Sequence, residues 1–537
     1  MSGQLTNLEQ LPTFSGTVST SDDARKRHSR DASIFEVMPS AVLTPHSVED
    51  VKQAVRYVSK LKQQGEDISL TPRAGGTCMS GGSLTKSVVL NVSTHLNGVG
   101  AVEELGQTVR VQGGAMHIDV ERAAAEHGLF FAPYTSSHDI CSIGGMIGNN
   151  ASGEKSIKFG ATSDNVDRLK VVLADGNEYE FGPLDRIALE KKKQQADFEG
   201  EVYRRVYDLL LANRRLIAER RPRTKKNAAG YALWELWQDR DTVFNLARLL
   251  IGAQGTLGIV TEAELKLTRL PKHARMIVTP IANLDHLAEV VKTSLYFDPV
   301  TLETFDHFTY DLAKQHYPED AARAHVADGK HMVVLSVFDG NHQDRIDATA
   351  TKAKDKLESL GYETYWIDDQ ETVESFLTIR RKSFKMLLDH PEPNTRAQAF
   401  LEDTIVPLEN YGEFLKRLEA ILADYQLTYT YAGHIGDGSI RLIPLVDMEA
   451  EGAAELIMEL ETKVNDLTLE FGGSISVDHN DGIIRTPYLE KQFGTEMIDL
   501  FREIKKIFDP YGIFNPGKKI DGTHDFAIEH IIRENVS

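Results

Sequence analysis

Apolar residues recur with helical spacing in two long stretches of the chain. The first stretch follows Ser47, which stands with Asp50 in the spacing of a capping box, and its apolar positions are Val51, Ala54, Val55, Val58 and Leu61. The second stretch precedes Pro510, a residue type that ends helices, and its apolar positions are Ile498, Phe501, Ile504, Ile507 and Phe508. Each pattern predicts an amphipathic helix with one face packed into a core.

Short apolar runs between these helices predict strands. The segments "DISLTPR", "SVVLNVS" and "TVRVQGG" predict three strands before a helix at about 116–127. From about 272 to 450, "ARMIVTPI", "HMVVLSVF", "GYETYWI" and "SIRLIPLV" alternate with helical patterns, which favours an antiparallel sheet with helices on one face. The charged stretch at about 185–222 predicts inserted helices, and the polar residues 1–35 predict an arm that lies on the surface.

Length and charge narrow the class of protein. A chain of 537 residues is too long for one hydrophobic core, so we expect two domains. The net charge of -20 disfavours nucleic acid or an anionic membrane as the main partner. The basic segment "ERRPRTKK" at 219–226 is an exception that predicts a solvated loop or the lining of a phosphate site. The start has no leader pattern and no apolar run reaches 18 residues, so we expect a cytoplasmic protein.

Four glycine-rich segments are candidates for holding an anionic ligand. They are "TPRAGGTCMSGG" at 71–82, "CSIGGMIGNNASGEKSIKFG" at 141–160, "LIGAQGTLGIVTEAELKL" at 250–267 and "FNPGK" at 514–518. Successive glycines let backbone N–H groups converge on a phosphate, although one such segment alone is equally typical of an ordinary loop. Neither the G-x-G-x-x-G dinucleotide motif nor the G-x-x-x-x-G-K-[ST] phosphate loop occurs.

The four segments, in this order and spacing, resemble the PCMH-type FAD-binding domain of the vanillyl-alcohol oxidase family. The resemblance extends over about residues 36–520. Within it, "HIGDGSIR" at 434–441, "GGSISVDHNDG" at 472–482 and "IKKIFDPYGIFNPGK" are similar to the branch that contains the glycolate oxidase subunit and the D-lactate and D-2-hydroxyglutarate dehydrogenases.

The resemblance implies an α+β fold with a division into domains. We expect an arm at 1–35, a two-part PCMH-type FAD-binding domain at 36–271, a ferredoxin-like antiparallel-sheet substrate (cap) domain at 272–505, and a segment at 506–537 that returns to the flavin. It also implies noncovalent FAD, because Thr77 stands where a covalent site would have histidine. The implied FAD-binding residues are Pro72, Arg73, Ala74, Gly75, Gly76, Thr77, Ser80, Gly81, Ser142, Ile143, Gly145, Asn149, Ala151, Gly153, Gly255, Gly258, Ile259 and Asn515.

The resemblance also places a metal site at these C-terminal motifs, and this sequence departs from it. The implied ligands that remain are His434 and Asp478, because Arg441 stands where the family has a second histidine. A guanidinium cannot ligate a metal, and a zinc site normally has at least three protein ligands. We therefore expect a divalent metal to be absent or weakly bound. Arg441 either supplies the positive charge to the substrate instead or forms a buried ion pair with Asp437 or Asp478.

The chemistry implied by the resemblance falls on four residues. His479 is the expected base for a substrate hydroxyl, since an imidazole can accept a proton near neutral pH. His434 either orients His479 or senses the flavin edge, and Arg380 with Arg441 binds the substrate carboxylate. The alternative for Arg380 is that it belongs to a solvated Arg-Arg-Lys face of a helix. Two further departures, Gln254 in "GAQG" and Asn480 in "VDHNDG", leave the identity of the substrate open.

The predicted function is that of an FAD-dependent dehydrogenase that oxidises a 2-hydroxy acid, of the D-lactate, glycolate or D-2-hydroxyglutarate type, to the 2-oxo acid. Cys78 and Cys141 are too few to hold an iron–sulfur cluster, so the acceptor is a quinone, an electron-transfer protein, an iron–sulfur subunit or oxygen. Peripheral membrane association and a homodimer stay open. The alternatives are an FAD oxidase of another alcohol or sugar, and a noncatalytic FAD-binding electron-relay subunit.

Overall fold

The N-terminal part of the protein contains a small, mostly parallel sheet. The computed structural model describes residue 11 and the ranges 13–326, 331–389 and 395–533. The predicted first helix is present at Val48–Gln63, and its capping box is confirmed because the Ser47 amide donates to Asp50 Oδ2 at 3.1 Å and the Asp50 amide to Ser47 Oγ at 3.2 Å. The spatial order of the strands is Thr17–Ser19, Ala41–Thr44, Val88–Asn91 and Leu70–Arg73.

The N-terminal arm is paired with the first sheet. Its strand Thr17–Ser19 pairs antiparallel with Ala41–Thr44 and forms the edge of the first sheet, and the short helix Asp22–Arg27 follows. Of residues 13–35, Ala24, Ser29, Ile34 and Phe35 are buried, and the rest are half-buried or exposed. The segment therefore lies at the surface, where backbone pairing at the sheet edge and the buried side chains near Phe35 hold it.

A second, antiparallel sheet follows. Its strand order is Val99–Glu103, Thr108–Gln112, Ile259–Lys266, Val166–Val172 and Glu178–Phe181. The glycine-rich segment 141–160 lies along the chain between two strands of this sheet, and 250–267 runs into a third, whereas 71–82 lies between two strands of the first sheet. The inserted helices predicted at about 185–222 are present as Arg186–Lys193, Phe198–Ala212 and Arg214–Arg220. Helices next to the glycine-rich segments are His117–Ala125, Ile143–Asn149, Ser156–Phe159 and Ala247–Leu250.

The largest sheet is antiparallel and belongs to the predicted cap region. Its order is Tyr365–Ile367, His273–Ile281, Met332–Gly340, Thr301–Asp306, Tyr429–Gly433, Ser439–Val446 and Arg396–Ala397, with Thr404–Ile405 also paired to Ser439–Val446. Helices cover both of its faces, not one as expected. One face packs on Leu287–Leu295, Gln343–Ser359, Tyr411–Ala423 and Ala453–Glu470, and the other on His307–His316, Pro318–Arg323, Gln370–Arg381 and Ser383–Leu388.

The continuous apolar run "MVVLSVF" already indicates this two-sided burial. All seven of its residues, 332–338, are buried, whereas a strand with one wet face alternates between apolar and polar residues. The prediction of helices on one face did not take this continuous apolar run into account.

The C-terminal segment returns to the first sheet. The helix Thr495–Phe508 ends before Pro510, as predicted. Beyond it, the Leu70 amide donates to the carbonyl of Ile513 at 2.7 Å, and the Asn515 amide donates to the carbonyl of Leu70 at 2.9 Å. Within the described ranges, no helix has the length and apolar character that crossing a membrane requires.

Candidate active site

Three of the glycine-rich segments form one cavity of about 880 Å³. Among the predicted cofactor residues, its lining contains Pro72, Arg73, Ala74, Gly75, Gly76, Thr77, Gly145, Asn149, Gly255, Gly258 and Ile259. Ala151 lines a second cavity, whereas Ser80, Gly81, Ser142, Ile143, Gly153 and Asn515 lie outside both linings. Several of these outer residues act as supports, as when Ser142 Oγ accepts the Gly75 amide hydrogen at 2.9 Å.

The absence of side chains at glycine positions shapes this cavity for a dinucleotide. A Cβ at Gly145 would meet only the Ser142 hydroxyl, at 3.4 Å, so the missing atom leaves space in the cavity. A Cβ at Gly255 would lie 2.2 Å from Pro72 Cγ, and the positive φ of 67° there also requires glycine. The cavity walls therefore approach each other more closely than bulkier residues permit, and the residues present fit an FAD molecule laid between them.

Asn515 joins two of the segments that line the cavity, 71–82 and 250–267. Its Nδ2 group donates to the carbonyls of Gly82 at 2.8 Å and Gln254 at 2.7 Å, and Thr71 Oγ1 donates to its Oδ1 at 3.1 Å. The sequence placed Asn515 near the flavin, and in the structure it is wholly buried behind the cavity wall. Its contacts support a positioning role.

The two unusual residues Gln254 and Asn480 connect the two halves of the molecule. Gln254 Oε1 accepts from the Gly482 amide at 2.9 Å, and Gln254 Nε2 donates to Asn149 Oδ1 at 3.1 Å. Asn480 Nδ2 donates to the carbonyls of Gly252 at 2.9 Å and Asn149 at 3.1 Å. The C-terminal motif is thus tied directly to the glycine-rich wall.

A second cavity, of about 450 Å³, lies between the glycine-rich wall and the large sheet. It brings together side chains that are far apart in sequence, with Gly145 and Asn149 on one side and Arg380, Arg441 and His479 on the other. The predicted base and carboxylate-binding residues therefore share one space with the end of the cofactor cavity. His434 lies behind this lining.

His479 is held by a buried carboxylate that the sequence analysis missed. Its Nδ1 lies 2.9 Å from Glu402 Oε2, and Glu402 Oε1 accepts from Arg485 Nη2 at 2.5 Å. Burial alone would raise the pKa of Glu402, but the charges of Arg485 and His479 hold it below its ordinary value. An ionised Glu402 accepts the Nδ1 hydrogen and leaves Nε2 of His479 as the nitrogen that can accept a proton.

A second carboxylate organises the backbone of the same loop. Asp403 accepts the amide hydrogens of Val477, Asp478 and His479 at 2.8, 2.9 and 3.0 Å. Nothing near "EDT" at 402–404 signals this role in the sequence, because the contact spans about 75 residues. Asp403 thus positions the loop that carries the predicted base.

Arg441 lies between the two remaining members of the expected metal set. Its Nη2 donates to His434 Nε2 at 3.0 Å and to Asp478 Oδ2 at 2.9 Å. Burial and the charges of Arg441 and Lys226 hold the pKa of His434 well below its ordinary value, so the ring is neutral and its Nδ1 hydrogen points to Glu303 Oε1 at 2.6 Å. His434 Nε2 and Asp478 Oδ2 therefore already accept hydrogen bonds from a guanidinium. This set of donor atoms does not fit a divalent metal.

Lys226 adds a second positive charge to the same cluster. Its Nζ lies 3.0 Å from Asp437 Oδ2 and 3.3 Å from Asp478 Oδ1, and Ser152 Oγ also donates to Asp478. Burial opposes ionisation of Asp478, but the charges of Lys226 and Arg441 hold its pKa well below the usual range. The basic segment at 219–226 thus delivers one buried cation to the site, which neither of its two interpretations anticipated.

Another acidic cluster meets the geometric conditions for a metal. One ligand atom each from Glu402, Asp403 and His479 lies within 4.8 Å of the others. The carboxylates of Glu402 and Asp403 already accept hydrogen bonds from Arg485 and from three backbone amides, as described above. The cluster is therefore a hydrogen-bonded support for the loop.

Arg380 is buried with unused hydrogen-bonding capacity. Its Nε lies 2.8 Å from Glu303 Oε2, but the groups are not aligned for a hydrogen bond, and neither Nε nor Nη2 has a partner among the described residues. Burial raises the pKa of Glu303 to about 8, and the charge of Arg380 opposes the rise. An anionic ligand would satisfy the guanidinium.

The neighbouring Arg381 is fully committed elsewhere. It donates to both oxygens of Glu154 at 2.7 and 2.8 Å and to Glu374 at 2.5 Å. Arg380 is therefore the member of the pair that keeps unused hydrogen-bonding capacity.

Family models match both halves of the chain. Residues 39–182 match the model described as "FAD binding domain", and residues 270–519 match "FAD linked oxidases, C-terminal domain". The D-2-hydroxyglutarate dehydrogenase of Pantoea ananatis (strain AJ13355) is 30% identical over 529 residues, which are 96% of this chain and 51% of the relative. The glycolate oxidase subunit GlcD of Bacillus subtilis (strain 168) is 28% identical over 520 residues, 95% of this chain and 96% of the relative.

Solved structures share the fold. The 4-ethylphenol oxidase from Gulosibacter chungangensis has a TM-score of 0.68 at 18% identity, with 95% of each chain covered. An alkyldihydroxyacetonephosphate synthase has a TM-score of 0.66 at 16% identity, with 96% of this chain and 84% of that chain covered. The chain spans about half the length of the D-2-hydroxyglutarate dehydrogenase from Pantoea ananatis.

Proposed function

The chain belongs to the FAD-linked oxidases, and on that basis we propose that it is an FAD-dependent dehydrogenase that oxidises a 2-hydroxy acid, of the D configuration, to the 2-oxo acid. The observation that carries the proposal is the shared cavity of about 450 Å³, which is lined by both His479 and Arg380, whose Nε and Nη2 have no hydrogen-bond partner among the described residues. A base and a carboxylate-binding group in one space are what a 2-hydroxy acid requires. The names of the relatives from Pantoea ananatis and Bacillus subtilis support the same substrate class.

His479 serves as the base in this proposal. Its Nε2 accepts the proton of the substrate hydroxyl, and the negative charge of Glu402, 2.9 Å from Nδ1, stabilises the imidazolium that forms. A placed base of this kind contributes about 10²–10⁴ to the rate. The loop held by Asp403 keeps the ring in position.

Arg380 and Arg441 bind the substrate carboxylate. Arg380 offers Nη2, and Arg441 offers Nε, which also has no hydrogen-bond partner among the described residues. Charge-assisted hydrogen bonds of this type contribute about 1.5–3 kcal/mol each. Two guanidiniums on one carboxylate fix the orientation of C2 and its hydroxyl relative to His479.

The cofactor would be held by the walls at 72–78, 144–149 and 253–260. FAD would accept the hydride from C2, so that the two electrons go to the cofactor and the hydroxyl proton goes to His479. Asn149 and Gly145 line both cavities and connect the cofactor space to the substrate space. The helix Ile143–Asn149 therefore positions the cofactor space relative to the substrate space.

Reoxidation of the reduced flavin needs an electron acceptor that the residues of this site do not provide. Cys78 and Cys141 are too few for an iron–sulfur cluster, so we expect electrons to pass to a quinone, an electron-transfer protein or an iron–sulfur subunit.

An anaerobic titration tests the function. The flavin-loaded protein is mixed with D- and L-2-hydroxy acids of several lengths while the absorbance of the oxidised flavin is followed. Bleaching by one enantiomer, with one equivalent of 2-oxo acid formed, supports the proposal. A flavin that stays oxidised with every acid, but is bleached by another alcohol or by a redox partner, would refute it in favour of the alcohol oxidase or the relay subunit.

A further inference from the structure

The substrate cavity extends well beyond the reacting groups. Its volume of about 450 Å³ lies within the roughly 300–1,000 Å³ of ordinary small-molecule sites and leaves room for a group beyond C2. Besides His479 and the two arginines, the segment around Ile140 and the helix Ser383–Leu388 both contribute to the lining. This outer part is where the rest of a 2-hydroxy acid would lie.

The described cations of the outer part already have acidic partners. Arg381 is bound to Glu154 and Glu374, as described above. Lys385 Nζ lies 2.7 Å from Asp389, and Lys382 Nζ lies 3.9 Å from Asp139. The unpartnered guanidinium nitrogens of the cavity belong to Arg380 and Arg441 at its inner end, which one carboxylate occupies. A second carboxylate would thus meet Asp139 and Asp389, whose charges already face the two lysines, although Lys382 makes no hydrogen bond to Asp139.

The lining combines apolar and polar side chains. Ile140 and Leu388 are 58% and 45% exposed, which is high for large aliphatic side chains in a concave site. The apolar side chains of the lining are Met79, Ile140, Met146, Phe384, Leu388 and Ile443, and its hydroxyl groups belong to Thr77, Thr135, Ser136, Ser137, Ser152 and Ser383. The exposed aliphatic side chains gain free energy when an apolar group covers them, and gain none from a hydrated carboxylate.

We propose that the substrate is a 2-hydroxy acid with an apolar alkyl or aryl tail, bound between Ile140 and Leu388, rather than a 2-hydroxy dicarboxylate. The inference rests on the proposed function and names its substrate class. It differs from what the name of the Pantoea ananatis relative states about that protein.

Reduction of the flavin by a homologous series of acids tests the tail. The flavin-loaded protein is mixed anaerobically with D-2-hydroxybutanoate, D-2-hydroxyhexanoate, D-2-hydroxyoctanoate and D-2-hydroxyglutarate, and the reduction rate constant divided by the dissociation constant is measured. Each buried methylene should raise this ratio about fourfold. We expect D-2-hydroxyhexanoate to exceed D-2-hydroxyglutarate by at least about tenfold, from two buried methylenes.

A matched pair of variants locates the effect. Leu388→Lys places a cation at the mouth and should raise the ratio for D-2-hydroxyglutarate while lowering it for D-2-hydroxyhexanoate. The control Leu360→Lys changes a leucine that is 39% exposed, at the end of Gln343–Ser359, and should change neither. Equal effects of Leu388→Lys on both acids, or faster reduction of the unmodified protein by D-2-hydroxyglutarate, would overturn the apolar tail and leave the dehydrogenase function intact. A flavin that no acid bleaches would overturn both.

Discussion

Nη2 of Arg441 donates a hydrogen bond of 3.0 Å to Nε2 of His434. The same nitrogen reaches Asp478 at 2.9 Å, so a guanidinium occupies the space between the two side chains that could otherwise ligate a metal. The two interpretations of Arg441 from sequence are therefore compatible, because the ion pair with Asp478 uses Nη2 and leaves Nε without a hydrogen-bond partner among the described residues. The positive charge at this position is therefore that of the Arg441 side chain and not that of a bound metal.

Arg441→His should convert this arrangement into a metal site. It would place a third ligand beside His434 and Asp478, which is the number that catalytic zinc sites use. We expect the variant to retain about one equivalent of Zn²⁺ after dialysis, measured by elemental analysis, and the unmodified protein to keep its activity in a chelator.

Arg441→Gln is the control for that experiment, since an amide removes the charge without adding an imidazole. Stoichiometric metal in the unmodified protein, together with loss of its activity in a chelator, would contradict the prediction.

His479→Gln should lower the rate constant for flavin reduction by about 10²–10⁴, because the hydroxyl proton loses its acceptor. FAD content should be unchanged, since His479 does not line the cofactor cavity of about 880 Å³. Stopped-flow absorbance measures both quantities. Glu402→Gln should show a smaller loss of the same kind, and an unchanged rate in His479→Gln would exclude the residue as the base.

Arg380→Lys should weaken substrate binding because an ammonium cannot form the planar, paired contacts of a guanidinium. Loss of one charge-assisted hydrogen bond, about 1.5–3 kcal/mol, corresponds to a decrease of roughly 10- to 150-fold in kcat/KM. Arg417→Lys, at a surface pair with Glu470, should leave kcat/KM unchanged. An effect of equal size in both variants would show that the arginine at 380 is not specific to the substrate.

Gly145→Val should reduce the affinity for FAD. Its side chain would enter the space that the missing Cβ leaves open, where the Ser142 hydroxyl at 3.4 Å is the neighbouring contact. The ratio of flavin to protein absorbance after gel filtration measures the loss. Gly412→Ala, at an open position with no atom within 4 Å, should keep full flavin content, and an unaffected Gly145→Val would contradict the assigned cavity.

Glu461 should make stability depend on pH. Burial raises its pKa from 4.5 to about 8, although Arg485 opposes the shift. The folded protein holds a proton there that the unfolded chain releases, so this contribution to stability is complete below about pH 4.5 and falls by roughly 1.4 kcal/mol per pH unit until about pH 8. Glu461→Gln should remove the slope.

Thermal unfolding of Glu461→Gln at pH 5, 7 and 9 checks this expectation. Its melting temperature should rise relative to the unmodified protein as the pH increases. Glu470→Gln lies at the exposed end of the same helix and should not show the trend. Parallel curves for Glu461→Gln and the unmodified protein would contradict the prediction.

Local signals carry part of the fold. The helix Val48–Gln63 follows from its capping box and spacing, and Thr495–Phe508 from its apolar face and Pro510, because these signals act between residues three or four positions apart. The continuous apolar run "MVVLSVF" indicates that both faces of the large sheet are covered, although the sequence prediction placed helices on one face. The pairing of Thr17–Ser19 with a sheet edge has no local signal.

The sequence by itself determined which chemical groups the protein carries: the glycines that leave space for a cofactor, the imidazole of His479, and a guanidinium at 441 that cannot ligate a metal. Only the tertiary structure decided what each group faces. Glu402 reaches His479 across 77 positions, and Lys226 reaches Asp478 across 252. Side-chain type is set residue by residue, whereas the state of a buried charge depends on neighbours that folding brings within a few ångströms, and no periodicity along the chain records them.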